Sequence, residues 1–578
     1  MSGRLPRAQT SALTSLRTLP RRLITHARQL VRRIGGGAYL ILAAIFSLLI
    51  VADTGILNLV AAAETRLFDL LITKRIVVPR ADPDIVIIDI DEASLAGMAK
   101  EHGRWPWPSS VLGELVTGIE QQQPRAIVFD ILFSDRDTLR PQSDAAFNAA
   151  IAGSKTTFFP MLRLDPQNDH LSRITPGMLP GVTKLIPSAS SDGKDATIAI
   201  ILPKVPAAID NGRLGTHQVV PDKDGVVRRY PAWLMHDGWR IPSLPQRIAD
   251  EFGYAGSGQQ DVLLNWRGPP FTYRYAAFVD VYRDLARDKK QRPGDEFRNK
   301  IVVIGSTAPS LFDIKGTPMA RIHPGVEILA TAIDNYKNDD WLRERPPWLM
   351  IAATLVLIWS MSFALFRQVR IDIFDTVFAG LQGGLILAAF ATLNLSHWYL
   401  DTSAPLSLGV IYFTVVRLYY GFSMQALANT RTEELTDVPA GHRHIAVLAI
   451  ELQDARPAER RRLKGELNRF VARSSLGAGR IAELVEDPGL VRGAFADVML
   501  VYWLMEGADS AWTDEADTLV NTLQQGQTGQ RWAQRLSFGR HDGAVDWSTP
   551  GGWKHAARRT ILVALSNAST RGTPDKLD

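Results

Sequence analysis

Along most of the chain apolar and charged positions alternate closely, but in four places the charges stop. Ala38–Ala52 carries none, and after Asp53 the uncharged run resumes over Thr54–Ala63. Pro347–Phe366 and Thr376–Ser396 are uncharged throughout, and Thr402–Ala428 is interrupted only by Arg417. A helix needs about 20 apolar residues to cross the hydrocarbon core. The pattern therefore predicts four transmembrane helices, at 35–60, 347–366, 374–396 and 402–424. The runs are apolar on all sides, as membrane helices are and amphipathic surface helices are not. The first reads as an uncleaved anchor, because no small-residue cleavage site stands out beside it.

Between the first and second runs, residues 61–345 mix short apolar runs with helical periodicity. Asp84–Ile90 and Arg125–Phe133 read as buried strands, Thr156–Pro160 starts a third, and Lys300–Ile304 is another. Asp91–Lys100, Ser109–Gln121 and Asp144–Ala152 read as helices between them. Strands alternating with helices argue for an α/β sheet. Beyond a polar linker, 425–444, the order is strand (Ile445–Leu452), amphipathic helix (Ala458–Arg473), strand (Arg480–Val485), strand (Phe495–Leu504), helix (Thr513–Gln525), strand (Arg535–His541) and a helix from Trp553. That βαββαβ order suggests a ferredoxin-like α+β domain over 445–578. The expected fold is thus a multi-domain membrane protein: an α/β outer domain, four transmembrane helices and an α+β inner domain.

Arginine placement sets the expected orientation. Residues 1–34 form a tail with eight arginines and no acid, and Arg367 and Arg370 follow the second run. Both belong inside. The connector 397–401 has neither Lys nor Arg and belongs outside. Arg417 is expected to snorkel toward the headgroups. Both termini are then cytoplasmic.

Composition adds little. The 578 residues include no cysteine, so disulfides play no part, and the net charge of +5 is too small to point to a nucleic-acid partner. No kinase, phosphatase or protease motif stands out.

Asp89, Asp91 and Asp130 close two predicted parallel strands, where open α/β sheets bind ligands. They are the candidate ligand residues of the outer domain. The alternatives are that Asp91 caps the following helix and that Asp130 ties down a loop. Trp105 and Trp107, spaced by prolines, read as a stiff turn packed on the sheet. Asp222–Gly225 reads as a β-turn carrying Arg228 rather than a calcium loop, since position twelve is Trp233. Gly305-Ser306-Thr307 lacks the lysine and second glycine of a phosphate loop.

The runs IVIIDIDEASL (85–95), GRWPWPSS (103–110), PRAIVFDILFSD (124–135), DKDGVVRRYP (222–231), LLNWRGPP (263–270), NKIVVIGSTAPSLFDIKGTP (299–318) and HPGVEILATAID (323–334) together resemble the type-two CHASE domain. The resemblance implies an extracytoplasmic sensory module of bacterial transducers, seated in the inner membrane, with one helix before it and three after. It leaves the ligand unnamed. The C-terminal domain resembles a degenerate class III adenylate/guanylate cyclase. Glu451 stands where that family has a metal-binding Asp, and Asp497 at the second metal position. Gly539, His541 and Gly543 follow the GxHxG pattern, Lys554 stands where the transition-state Asn belongs, and Arg558 at the Arg position.

Glu for Asp at 451 displaces the metal-binding oxygens, and errors of about 1 Å can cost ~100-fold in rate. The thirteen positions from His541 to Lys554 leave no room for the base-reading strands, and Glu486–Gly489 is an insertion. The expectation is a sensor whose inner domain is non-catalytic. No cofactor is expected; Mg/Mn and nucleotide would bind only if the domain were active. An active cyclase receptor is the alternative, and a membrane scaffold for a larger complex the third reading. The expected partners are the membrane, a second copy in a homodimer, an extracytoplasmic ligand and a cytoplasmic partner.

Overall fold

The computed structural model describes residues 37–53, 59–185, 197–254, 258, 260–367, 371–434, 443–452, 457–476, 482–483, 497–525, 535–545 and 552–570. The arginine-rich tail 1–34 and the insertion 486–489 lie outside them. The described residues divide into two units. One is Thr65–Arg345 with Leu387–Asp401; the other holds the remaining helices and the C-terminal domain.

The first unit is built on five parallel strands: β1 (Ile85–Asp89), β2 (Ala126–Phe129), β3 (Thr157–Arg163), β5 (Arg274–Ala277) and β6 (Ile301–Gly305). Their spatial order is β5-β1-β6-β2-β3, and the short strand β4 (Leu214–Thr216) continues it in parallel beside β3. The strands are apolar on both faces because both faces are covered. Val86, Ile88, Ile127, Phe129, Val302 and Ile304 pack under Met98, Leu115, Phe147 and Val281. Those come from the helices Glu92–His102, Ser109–Glu120, Pro141–Gly153 and Phe278–Leu285. On the other face Ile85, Ile87, Val128 and Val303 meet Ile328, Ala332 and Ile333 of the helix Gly325–Asn338 and Phe68 and Ile72 of Ala61–Thr73. Trp107 is buried against Phe278 with ring centroids 4.7 Å apart, so the tryptophan turn is packing.

Glu327 and Arg267 tie the far helix down. Glu327 accepts from the amides of Phe271 (2.7 Å) and Thr272 (2.8 Å) and from the Tyr275 hydroxyl (3.0 Å). Arg267 is bidentate on Asp340 (2.7 and 2.8 Å) and also pairs with Asp334. The connector 397–401 belongs to this unit as well. Trp398–Tyr399 pairs with Arg343–Glu344, and Tyr399 is buried edge-on against Phe68 at 5.2 Å.

Among the described residues three helices are long and apolar enough to cross a membrane: Pro347–Phe366 and Ser403–Ser423 in the second unit, and Ile373–Leu395, whose last part from Leu387 belongs to the first. Gly37–Ala52 is apolar but has 16 residues, short of a span on its own. Its Tyr39 and Ala43 are buried with Ile358, Phe378 and Tyr412. Arg417, expected to snorkel toward the headgroups, has a protein partner as well. It pairs with Asp375, near the start of the neighbouring helix, at 2.8 Å. The last apolar helix continues without a break to Glu434, through the first part of the expected linker.

The C-terminal domain is a four-stranded antiparallel sheet of β7 (His444–Leu452), β8 (Ala482–Glu483), β9 (Asp497–Met505) and β10 (Leu536–Ala544), in the order β8-β9-β7-β10. Strict alternation along β7 splits its side chains between two cores. Ala446, Leu448 and Ile450 pack against Leu463, Leu467, Trp512 and Leu519, from the helices Pro457–Val471 and Ala511–Gln525. Ile445, Val447 and Ala449 pack against Ala557, Ile561 and Ala564 of Gly552–Thr570.

Candidate functional site

Strand β6 is flanked by β1 and β2, yet its chain leaves in the opposite direction. After β1 and β2 the chain enters helices on one face; after β6 it reaches Gly325–Asn338 on the other. Neighbouring parallel strands whose exits diverge open a crevice at their carboxyl ends, where α/β folds bind ligands. Asp89, Gly305 and Asp130 stand there.

Asp89 is occupied. It accepts from the amide (2.8 Å) and hydroxyl (2.6 Å) of Thr307. Burial raises its pKa, the Thr307 bonds act against that, and Asp91 adds to it. Asp91 caps Glu92–His102, accepting from the Ser94 amide at 2.7 Å, so the capping alternative describes it. The loop after β6 is equally committed. Ser306 Oγ donates to Ile90 O at 2.7 Å and accepts from the Ala308 amide at 3.0 Å, and the Ser310 amide donates to Glu92 at 3.0 Å. Amides that would cradle a phosphate already have acceptors, two of them carboxylates.

Asp130 is different. It is half-buried beyond β2, its amide donates to Ile304 O at 2.8 Å, and its carboxylate accepts no hydrogen bond from a described residue. Gly305 makes room for it: a Cβ there would lie 2.6 Å from Val326 Cγ2 and 3.2 Å from Asp130 Cβ. The neighbouring Gly325 makes room for Asp313, whose carboxylate oxygens occupy the place of a Cβ, 2.3 and 2.4 Å away. Two carboxylates thus flank Gly325-Val326 at the start of the far helix. Burial, then the charge of Asp313, holds the Asp130 carboxyl well above the ordinary carboxylate range, with Lys315 opposing. Burial also raises Asp313, and Lys315, whose Nζ is 3.8 Å from Oδ1, opposes it.

An unpartnered hydroxyl lies near the pair. Tyr230 is fully buried, its hydroxyl has no partner among the described residues, and it lies within electrostatic reach of both Asp130 and Asp313. His217 Nδ1 and Thr216 Oγ1, at the end of β4, are also buried without partners. Burial, then Lys315, lowers the His217 pKa. Sequence reasoning selected Asp130 and missed Asp313, Lys315, His217 and Tyr230. Asp313 and Lys315 stood in a motif, SLFDIKGTP, but no periodicity marked them as crevice residues.

The hairpin of Ile314–Lys315 with His323–Pro324 connects the crevice to the first helix of this unit. The Val227 amide donates to Gly316 O at 2.8 Å. Next to it, buried Arg228 binds Asp222 (2.7 Å), Asp224 (2.7 Å) and, bidentately, Asp69 of Ala61–Thr73. The acids of the DKDG turn are therefore neutralised by arginine.

Residues 40–366 match the CHASE2 domain. The chain belongs to the CHASE2 domain family. No curated protein and no solved structure matches it. CHASE2 is an extracellular sensory domain, and the three apolar helices fit a membrane sensor. The match takes in Gly37–Ala52 from Leu40 onward and ends with Pro347–Phe366, so the C-terminal domain lies outside it.

In that domain the cyclase-like positions are placed as follows. Glu451 is half-buried, accepts from Ser537 Oγ at 3.1 Å, and has its pKa raised by burial with Ser537 opposing. The register sets Glu451 opposite Val498 and Asp497 opposite Leu452, so the two acids are not cross-strand partners. Arg558 is half-buried on Gly552–Thr570, which also carries Lys554; for Asp497 and Lys554 only the backbone is described. Gly539 and Gly543 have a packing role: a Cβ on Gly539 would lie 2.0 Å from Ala564 O, and one on Gly543 2.7 Å from Thr560 Oγ1.

Proposed function

We propose that this CHASE2 protein is a receptor whose crevice, at the carboxyl ends of β1, β6 and β2, takes up an extracytoplasmic solute. The observation that carries the reading is the Asp130–Asp313 pair, brought together at that crevice beside the unpartnered Tyr230 hydroxyl. A ligand acts by binding two states of the receptor unequally. The hairpin 314–324, the 222–228 turn and the Arg228–Asp69 pair form a continuous polar connection to Ala61–Thr73, the helix that follows the first apolar segment.

The inner domain is proposed to be a ferredoxin-like, cyclase-related output domain without catalysis, in the cytoplasm of a homodimer in a bacterial inner membrane. Support comes from the strand order β8-β9-β7-β10, the out-of-step register of Glu451 and Asp497, and the packing role of Gly539. Gly37–Ala52, extended through residues outside the described set, is proposed as the fourth span. The competing reading, an active cyclase, draws on Glu451 and Asp497 lying on neighbouring strands.

Hydrogen exchange on the full chain in lipid nanodiscs, with and without a concentrated periplasmic small-molecule fraction, tests the receptor reading. Protection at 305–325 and 222–230 is expected. Unchanged exchange across both segments overturns it.

A further inference from the structure

We infer that the crevice recognises its solute through a protonated amine, with Asp130 and Asp313 as the acceptors. This rests on the crevice being the ligand site and names the chemistry it selects.

Three more deeply buried carboxylates of this domain have donors. Asp89 has Thr307, Glu327 has three donors, and Asp334 has Tyr273 (2.9 Å), Arg267 and the Asp82 amide (2.9 Å). Asp130 and Asp313 are only half-buried, so they stay open to a donor from outside. The Asp130 carboxylate accepts nothing from a described residue, and Asp313 has only Lys315 at 3.8 Å. The pair is also long-range in origin: Asp130 follows β2, Asp313 precedes the helix Gly325–Asn338, and glycines at 305 and 325 clear space for both. With Lys315 counted, the ionised cluster has one net negative charge. That charge favours a cationic donor from outside.

Anions meet two carboxylates and a loop whose amides are committed. A divalent metal meets two carboxylates and a lysine, far from the six or more oxygens of a calcium site. An ammonium group carries three N–H donors, and the two carboxylates with the buried Tyr230 hydroxyl supply three acceptors. Charge-assisted bonds of this kind are the strong ones. The amine could belong to an alkylamine or to an amino acid, whose carboxylate would then meet Lys315.

The electrostatics supply a second readout. The groups facing Asp130 are Asp313 and Lys315 on the hairpin and Tyr230 on the strand Arg229–Pro231; His217, after β4, faces Lys315. Burial raises the pKa of both empty carboxyls, and the charge of Asp313 adds to the rise at Asp130. A cation displaces a proton held there, so binding releases protons and weakens as pH falls.

The test is calorimetry on the full chain in nanodiscs with ethanolamine, putrescine and glycine, against ethylene glycol, acetate, phosphate and magnesium. At least one amine is expected to bind with proton release, measured in buffers of different ionisation enthalpy. Asp130→Asn and, separately, Asp313→Asn should each weaken it by about tenfold or more. Each variant's thermal unfolding is checked, so that a misfolded one is replaced by the other. Lys315→Met should weaken glycine and spare ethanolamine if the solute is an amino acid, and spare both if it is an alkylamine. Failure of every amine overturns the proposal. If acetate, phosphate or magnesium binds instead and Asp130→Asn abolishes that, the amine class falls and the crevice stands. Amine binding that neither Asp variant changes overturns both.

Discussion

Arg228 and Asp69 meet as a bidentate ion pair, Nε to Oδ1 at 2.8 Å and Nη2 to Oδ2 at 2.7 Å, between residues 159 positions apart. The arginine is buried and its remaining donors go to Asp222 and Asp224. This one guanidinium gathers three carboxylates and fixes a helix against the turn beside the crevice hairpin.

Removing it leaves three partly exposed carboxylates without their shared donor. Arg228→Leu is expected to destabilise the outer domain by about 1–3 kcal/mol. Asp69→Asn, at the more exposed end, should cost less and loosen Ala61–Thr73 selectively. Thermal unfolding and exchange over 61–73 measure the two effects. Equal, uniform exchange in wild type and Asp69→Asn would remove this pair from any coupling role.

Acid should act on the crevice in two opposed ways. Burial lowers the His323 pKa from 6.5 to about 4, and its Nδ1 stays 3.0 Å from Thr317 Oγ1. Glu327 Oε2, 3.6 Å from Nε2, would favour the imidazolium. Its oxygens, however, already accept three bonds, and burial dominates. The unfolded imidazole binds a proton near 6.5 and the folded one only near 4, so stability falls as pH drops through that window. The whole effect is about 3 kcal/mol. Asp130 has the opposite sign. Its folded pKa is raised, so the folded state holds the extra proton above the ordinary carboxylate range and gains stability on acidification. His323→Gln should flatten the loss between pH 6.5 and 4. The melting temperature of Asp130→Asn should rise above wild type increasingly as pH increases. A His323→Gln profile parallel to wild type would refute the neutral imidazole.

The sheet was legible because its strands are continuous apolar runs, and 84–90 and 300–304 map onto β1 and β6 within a residue or two. Asp91 was legible as a cap for the same local reason. The crevice was only half legible. Asp130 sits at a strand end, a position that sequence reveals. Asp313 arrives through a loop, and its place is set by Gly325, twelve residues later, which no local pattern encodes. The ion pair of Arg417 was missed because its partner, Asp375, lies on another helix. Reading a lone charge in an apolar run says nothing of what a neighbouring run brings to it.

The glycine pattern of β10 separates packing from catalysis. A Cβ on Gly539 would lie 2.0 Å from Ala564 O and 2.1 Å from Ala568 N, both backbone. Backbone cannot rotate away, so Gly539→Ala must lift Gly552–Thr570 off the sheet. The expected cost is about 1–3 kcal/mol or more, the range for overpacked cores. Chemical denaturation of the full chain, followed by the fluorescence of the buried Trp503, measures it. Unchanged stability would return Gly539 to a catalytic pattern.

The arginine bias, with the connector 397–401 pairing with Arg343–Glu344, leads us to propose that the outer domain lies outside and the C-terminus inside. A reporter active only outside the cytoplasm should be active when inserted at Gly258 and silent when fused after Asp578. The reverse pattern would invert the topology, and activity at both sites would mean an odd number of spans.

Class III cyclization requires two carboxylates holding metals on a triphosphate. On the proposed cyclase relationship, Glu451 stands in place of one acid, and burial raises its pKa, which disfavours the ionised form a metal needs. The other, Asp497, lies opposite Leu452, out of step with it. The clamp position holds Lys554, and thirteen positions separate it from His541. These defects act on the same transition state, so their costs compound. The full-length protein, given ATP or GTP with manganese, is expected to make no cyclic nucleotide above a protein-free control. A turnover of even about 0.01 per second, far below ordinary enzymes, would establish the cyclase reading if Asp497→Ala abolished it. The same turnover surviving Asp497→Ala would mark a contaminant, because no metal pair can form without that carboxylate.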